Sequence, residues 1–519
     1  MKYVPHVVVI LLCAFTLLWR IEGTLLWRDE ATTANWARMM VEHKLLVPRV
    51  FDGKRLVAQA ADSHDFDDRF LPVMQGWLQF YVAALSFWIA GPGTLSARLP
   101  FVLAGALALW ALYRLGKELF PGSLAALAAP VAGATSIYFL TAARQARYYA
   151  LVVLFTACIL LEFCRYLQDS SRARRWGFYL RLGFYGLLVY LANYVSFGGL
   201  WISLTVFVLL TEDHALIRRF LILSAVLAVP LAAEFLLVHS QFVRSTAVAQ
   251  PAHWRDYAEA FRDHGVEMFR MIPLAAMLPA AWYVFWRRRD SRSPAVRGVA
   301  LLAACVVVIS VVATVAVARD SALPRYYFQI LPPLLLLVGI LAKRLWDLAG
   351  PAWAAAFFLF AIAWPNLNFY NGWCEDAVER QLVRDHTTNE PIVNFLVRHV
   401  PHDETVAFYR NVQGMMAYFD LPWLQWVDLL DSDEPRNQRR RAILPAYVFD
   451  DWDGADWYVV WDTHDKAPKK LTANYQLVWT YTYKDPQSWW DRHEPARVLS
   501  YRVYRRAASA AAAGAWTRK

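Results

Sequence analysis

The chain has 519 residues, 58% of them hydrophobic and 24 of them Trp, with a formal net charge of +10. The length leaves room for more than one domain, and the apolar content excludes an ordinary soluble protein. The positive charge does not point to nucleic acid, because the basic residues gather in short loops between apolar runs, where they set membrane orientation.

Apolar segments recur near 4–19, 72–90, 98–115, 123–140, 148–167, 177–194, 195–211, 218–238, 271–286, 297–318, 326–343 and 350–367. A membrane-crossing helix needs about 20 mostly apolar residues, and Trp, Tyr, Arg and Lys mark its ends. The first run lacks a small-residue cleavage site, since "AFTLLWR" passes straight into "IEGTLLWRDE", and it reads as a retained first helix. Cys13, Cys158, Cys164 and Cys305 lie in apolar runs and Cys374 in a polar one, so no disulfide framework or CxxC metal site is expected.

Orientation follows from the basic loops 113–120, 165–176, 214–220, 286–297 and 342–346. All face the cytoplasm, together with Lys2, only when one early segment fails to cross. That segment is 72–90, which holds Gln75 and Gln79 and is expected to lie along the membrane surface. About eleven spans follow. Loops 20–97, 141–147, 239–270 and 319–325 then face outward, with everything after about residue 368.

The chain thus divides into a membrane domain (1–367), an outward region (368–505) and a low-complexity tail (506–519). Within the outward region "EDAVERQLVRDH" and "PIVNFLVRHV" are predicted helices. "ETVAFYR", "DWYVVWD", "YQLVWTYTY" and "VLSYRVYRR" are predicted strands. The expected fold class is a polytopic α-helical membrane protein with a C-terminal soluble α/β domain.

Directly after the first helix the chain reads "LLWRDEATTANWAR", placing Asp29 and Glu30 side by side at the outer surface. Local sequence alone makes Asp29 a helix N-cap, a role that also holds its carboxylate rigidly. Three further stretches bear on it. They are "ARLPFVLAGALALWALYRLGKELF" (97–120), "TAARQARYYALVVLF" (141–155) and "PRYYFQILPPLLLLVGI" (324–340). The second sets Arg144, Arg147 and Tyr149 at an outer helix end, and the third does the same for Arg325 and Tyr326.

In this order, the four stretches resemble the GT-C superfamily of membrane glycosyltransferases. The likeness is greatest to the branch with the protein O-mannosyltransferases and the aminoarabinose transferase of lipid A, and it covers roughly residues 1–345. The resemblance implies an acidic pair in the first outer loop, juxtamembrane helices there, and a sugar taken from a polyprenyl-phosphate carrier. The acceptor is a hydroxyl of an extracytoplasmic lipid, glycan or protein. There are departures: a single Pro72 stands where the family often has His-Pro-Pro, and Gln145 stands where it often has glutamate.

On this reading Asp29 is the general base, and Glu30 orients the acceptor or binds sugar hydroxyls. Arg147, Arg325 and Arg144 hold the donor phosphate with Tyr149 and Tyr326. Snorkelling to headgroups is the alternative for all three arginines, above all Arg144, and an aromatic belt for the tyrosines. The acidic cluster Asp62, His64, Asp65, Asp67, Asp68 lacks a metal-ligand spacing, so a divalent cation is possible but unsupported, and no other cofactor is implied. Glu234 and His239 sit near an outer helix end, and His253, Trp254 and Asp256 lie in the loop 239–270. A transporter or lipid flippase, or a non-catalytic assembly protein, are the rival readings. A prokaryotic inner membrane is the expected location.

Overall fold

The computed structural model describes residues 4–23, 25, 26, 28–49, 71, 72, 76–236, 254–287, 294–317, 324–367, 390–409, 419, 421, 423–429, 454–462, 474–484 and 498–507. The first half holds α1 (Val4–Leu18), α2 (Arg28–Glu42), α3 (Leu78–Ala90), α4 (Thr94–Leu119), α5 (Ala128–Thr135), α6 (Ile137–Arg144), α7 (Tyr149–Gln168), α8 (Trp176–Ala192), α9 (Tyr194–Leu210) and α10 (His214–Glu234). It continues with α11 (Trp254–Met271), α12 (Leu274–Arg287), α13 (Pro294–Val317), a 3-10 turn Pro324–Ile330, α14 (Leu331–Ala349) and α15 (Pro351–Leu367).

Among the described residues, five helices are long and apolar enough to cross a membrane, or six if one bent pair counts as a single span. The chain is a multi-pass membrane protein. Its outward faces carry large apolar side chains such as Leu11, Leu107, Trp110, Phe184, Val229 and Leu359, which water would penalise and lipid accepts. α10 shows the effect best, with only 17% of its apolar window covered by protein.

The expected span 123–140 is not one straight helix. Residues Leu124–Thr135 and Ile137–Arg144 meet at 69°, with Ser136 extended between them. Such a break frees backbone groups that hydrocarbon cannot satisfy. Asn366 supplies them: its Oδ1 accepts from the Ile137 N–H at 3.0 Å, and its Nδ2 donates to the Thr135 carbonyl at 2.9 Å. The bend directs α6 towards the outer corner, where Arg144 ends it. α3 has 13 residues. That is about 20 Å at 1.5 Å per residue, against a hydrocarbon core of about 30 Å.

Close approach requires glycine where the chain enters α3. A Cβ on Gly76 would stand 2.3 Å from the Leu191 carbonyl oxygen and 2.5 Å from that of Ala192. The chain entering α3 is therefore pressed against the end of α8.

The C-terminal part holds α16 (Glu390–His399) and β1 (Thr405–Tyr409), β2 (Gln425–Leu429), β3 (Trp457–Asp462), β4 (Tyr475–Lys484) and β5 (Val498–Arg506). They form one sheet in the order β2-β1-β3-β5-β4, parallel across β2-β1-β3 and antiparallel across β3-β5-β4. α16 packs by its apolar stripe: Ile392 and Leu396 are buried, and Phe395 stacks on Trp479 with ring centroids 4.8 Å apart. β2, "QWVDL", was not expected, because it is a short edge strand carrying Asp428, without a clear alternation. The predicted helix "EDAVERQLVRDH" lies outside the described residues. Phe87 of α3 and Phe419 have ring centroids 5.8 Å apart, so α3 touches the C-terminal part.

Candidate active site

The site is built where α2, α3, the α6–α7 corner and the turn Pro324–Ile330 converge. α2 opens with Arg28, so Asp29 and Glu30 both fall in its first turn, where the positive end of the helix dipole favours carboxylates. Consecutive residues on a helix point about 100° apart, and here that separates their roles.

Glu30 is completely buried. Its Oε1 accepts from Arg98 Nε at 2.9 Å and its Oε2 from Arg98 Nη2 at 2.7 Å, a bidentate pair. The Ala146 backbone N–H adds a bond of 2.9 Å to Oε1. Arg98 in turn donates to the carbonyls of Ile21 at 2.8 Å and Leu25 at 3.1 Å. One carboxylate thus joins α2, α4 and the α6–α7 corner. Both carboxylate oxygens of Glu30 are thus engaged by the protein.

Asp29 is held differently. Its Oδ2 lies 3.6 Å from Arg147 Nη2, beyond good hydrogen-bond length, while Arg147 Nη1 donates to the Asp29 carbonyl at 3.2 Å. Asp29 is 1% exposed. A charged pair at this distance attracts, yet does not commit the carboxylate to one geometry.

Arg147 also lies over the rings of Tyr148 and Tyr149, 5.5 and 5.8 Å from their centroids. Tyr149 packs edge-on against Phe328 at 4.9 Å, which fixes the turn Pro324–Ile330 beside it. Arg325 and Tyr326 belong to that turn, and their side chains lie outside the described ones. Arg144 Nη1 donates to the Thr16 carbonyl of α1 at 3.0 Å, which ties α6 to α1.

Several participants carry no signal that sequence reading used. Arg98 stands 68 residues from Glu30. Its only mark is a basic residue at the start of an apolar run, just where orientation would put it outside. Gln79 bridges the site, its Oε1 accepting from the Tyr148 N–H at 3.1 Å and from Thr33 at 3.4 Å. His264 of α11 is buried with its Nδ1 against the Tyr327 hydroxyl, so the long outer loop and the 324–330 turn are joined. Among the described residues, no group of three His, Cys, Asp or Glu could hold a metal ion. The cluster Asp62–Asp68 and residues His239 and His253 lie outside the described residues, as do the side chains of Trp254 and Asp256.

Gln145 is fully buried, and among the described residues neither amide atom of its side chain has a hydrogen-bond partner. Burying such a group unsatisfied costs about 1–3 kcal/mol. Gln145→Met is therefore expected to unfold at the same temperature as the parent or a few degrees higher, measured by thermal denaturation in detergent. A clear drop would show that the amide does have a structural partner.

Comparison with known proteins places this arrangement. Residues 74–237 match the family model described as dolichyl-phosphate-mannose-protein mannosyltransferase. ArnT from Cupriavidus metallidurans, crystallised with undecaprenyl phosphate, aligns over 97% of this chain and 98% of its own with a TM-score of 0.61 at 16% identity. Its apo form aligns over the same shares, with a TM-score of 0.60 at 16% identity. An oligosaccharyltransferase from Archaeoglobus fulgidus aligns over 87% of this chain and 67% of its own at 13% identity, and its TM-score of 0.45 is too low to bear weight. No match was found among curated proteins. Residues 74–237 thus resemble that mannosyltransferase family, and the fold of the chain resembles that of ArnT.

Proposed function

We propose that the chain transfers a sugar from a polyprenyl-phosphate carrier to a hydroxyl of an extracytoplasmic acceptor, with inversion at the anomeric carbon. The family match and the shared fold support a glycosyltransferase. The observation that carries the mechanism is Asp29 and Arg147 set 3.6 Å apart in a buried outer corner, beside the turn that holds Arg325.

The acceptor hydroxyl gives its proton to the Asp29 carboxylate as its oxygen bonds to the anomeric carbon. The bond from that carbon to the phosphate oxygen breaks, and its electron pair leaves with polyprenyl phosphate. A phosphomonoester has a second pKa near 6, so the leaving group needs little protonation. It does need cations, and the guanidinium fork suits phosphate oxygens. Arg147 is placed to face both partners, with Arg325 completing the phosphate site and Tyr149 and Tyr326 flanking it. Low dielectric in a covered site strengthens each of these interactions. ArnT, a solved structure with this fold, was crystallised bound to undecaprenyl phosphate, a carrier of the class assigned here.

The orientation belongs to the same proposal. About eleven spans put the basic loops in the cytoplasm and the C-terminal sheet on the periplasmic side of an inner membrane. Single cysteines placed at 286–297 should be labelled by a membrane-impermeant maleimide only after the membrane is opened, and those at 400–450 in intact spheroplasts. The reverse pattern would invert the site with respect to the acceptor. Arg325→Ala should raise the donor KM at least tenfold in a transfer assay with polyprenyl-phosphate sugar, and an unchanged KM would remove this residue from the phosphate site.

A further inference from the structure

A second concave feature lies on the far side of the first turn of α3. It is a cavity of about 170 Å³ lined by Trp77, Tyr81, Tyr190, Leu191 and Glu234. At about 30 Å³ per water, that is room for a single small ring.

Its walls are fixed. Trp77 Nε1 donates to the Pro72 carbonyl and the Tyr81 hydroxyl to the Leu46 carbonyl, both at 2.9 Å. The two rings stand four residues apart on one helix face, their polar handles anchored and their flat surfaces held in place. Opposite them the Tyr190 hydroxyl contacts a Glu234 carboxylate oxygen, orienting that side chain, and lies 3.0 Å from the Leu231 carbonyl. Glu234 closes α10. A negative charge at a helix C-terminus opposes the dipole, and an ionisable group at the end of a membrane helix is expensive.

We propose that this cavity is a sugar subsite for the acceptor, with the aromatic faces taking the apolar side of a pyranose and Glu234 accepting bonds from its hydroxyls. The assignment to the acceptor rests on the glycosyl-transfer reading. The topology supports it: Gly76 to Leu78 line the cavity, and the next residue, Gln79, accepts the Tyr148 N–H beside Arg147. The cavity and the Asp29 corner are therefore two sides of one turn. A neutral sugar is favoured over a cation because a single carboxylate engaged by Tyr190 is paired with ring faces broad enough to stack a pyranose.

The test is binding, read without turnover. Full-length protein in nanodiscs of phosphatidylethanolamine and phosphatidylglycerol is presented with methyl glycosides of glucose, galactose, mannose and N-acetylglucosamine, and with tetramethylammonium. Saturation-transfer difference NMR reports contact. At least one glycoside should show ring-proton saturation. That signal should fall at least fivefold in Trp77→Ala and in Tyr81→Leu, each checked by its melting temperature. Glu234→Gln, which keeps hydrogen bonding, should change it twofold or less. Silence from all four glycosides would overturn the proposal, as would a signal indifferent to both aromatic variants. Tetramethylammonium bound by the parent and lost in Glu234→Gln would mark a cation site instead. Because the readout needs no donor, failure of the transfer reaction is told apart from failure of the subsite.

Discussion

Asp29→Asn should lose transfer activity by about a hundredfold to ten-thousandfold in kcat, the range a positioned general base supplies, while the protein folds normally and still binds donor. The substitution keeps size and hydrogen-bonding capacity and removes only the ability to take a proton. The carboxylate is buried, with its Oδ2 3.6 Å from the Arg147 guanidinium. Loss of the charge also weakens the hold on Arg147, so a modest change in donor KM should accompany the fall in kcat. Turnover and donor affinity are read from one assay that follows polyprenyl-phosphate sugar consumption. Normal kcat in a folded Asp29→Asn protein would remove the base from the mechanism.

Arg98→Ala should be the most damaging single change to stability. It strands a fully buried Glu30 carboxylate that now accepts two bonds from the guanidinium. Removing one partner of a buried pair costs about 3–5 kcal/mol, and Arg98 also serves two carbonyls at the end of the first outer segment. Glu30→Gln is expected to be milder, because an amide still accepts from Arg98 and from the Ala146 N–H. Glu30→Gln combined with Arg98→Met should recover part of the stability lost in Arg98→Ala without recovering full activity, since the α6–α7 corner loses its tie. Melting temperatures and yields of folded protein in detergent check the ranking. Equal stability of Arg98→Ala and the parent would mean that the pair does not hold the corner.

The contrast between neighbouring acids shows how far the sequence can be read. The segment "WRDEATTANWAR" on the outer face, followed by "RQARYY" and "PRYY", brings Asp29, Arg147 and the 324–330 turn to one place, and the structure unites them. Those residues sit at helix ends, and hydropathy and loop charge locate helix ends well. Glu30 was legible as part of the pair but not as its anchor, because its partner arrives from 68 residues away. Arg144 and Arg147 look alike in sequence. Only the 69° bend ahead of α6 and the turn after it send one to α1 and the other to Asp29. The bend was hidden because its compensation, the Asn366 amide, lies 229 residues from Ile137. In the C-terminal sheet the aromatic-rich strands announced themselves, and short β2 gained its conformation from pairing with β1.

The central claim is that one outer corner holds a lipid-linked phosphate between Arg147 and the 324–330 turn, with the Asp29 carboxylate facing the sugar. Its most direct test is a cryo-EM structure of the full chain in nanodiscs loaded with undecaprenyl phosphate. The account predicts the phosphate within about 3 Å of the Arg147 guanidinium, a hydrogen-bond distance, with Asp29 opening towards the periplasmic side. A phosphate seated away from Arg147, or Asp29 on the cytoplasmic side of the bilayer, would contradict it.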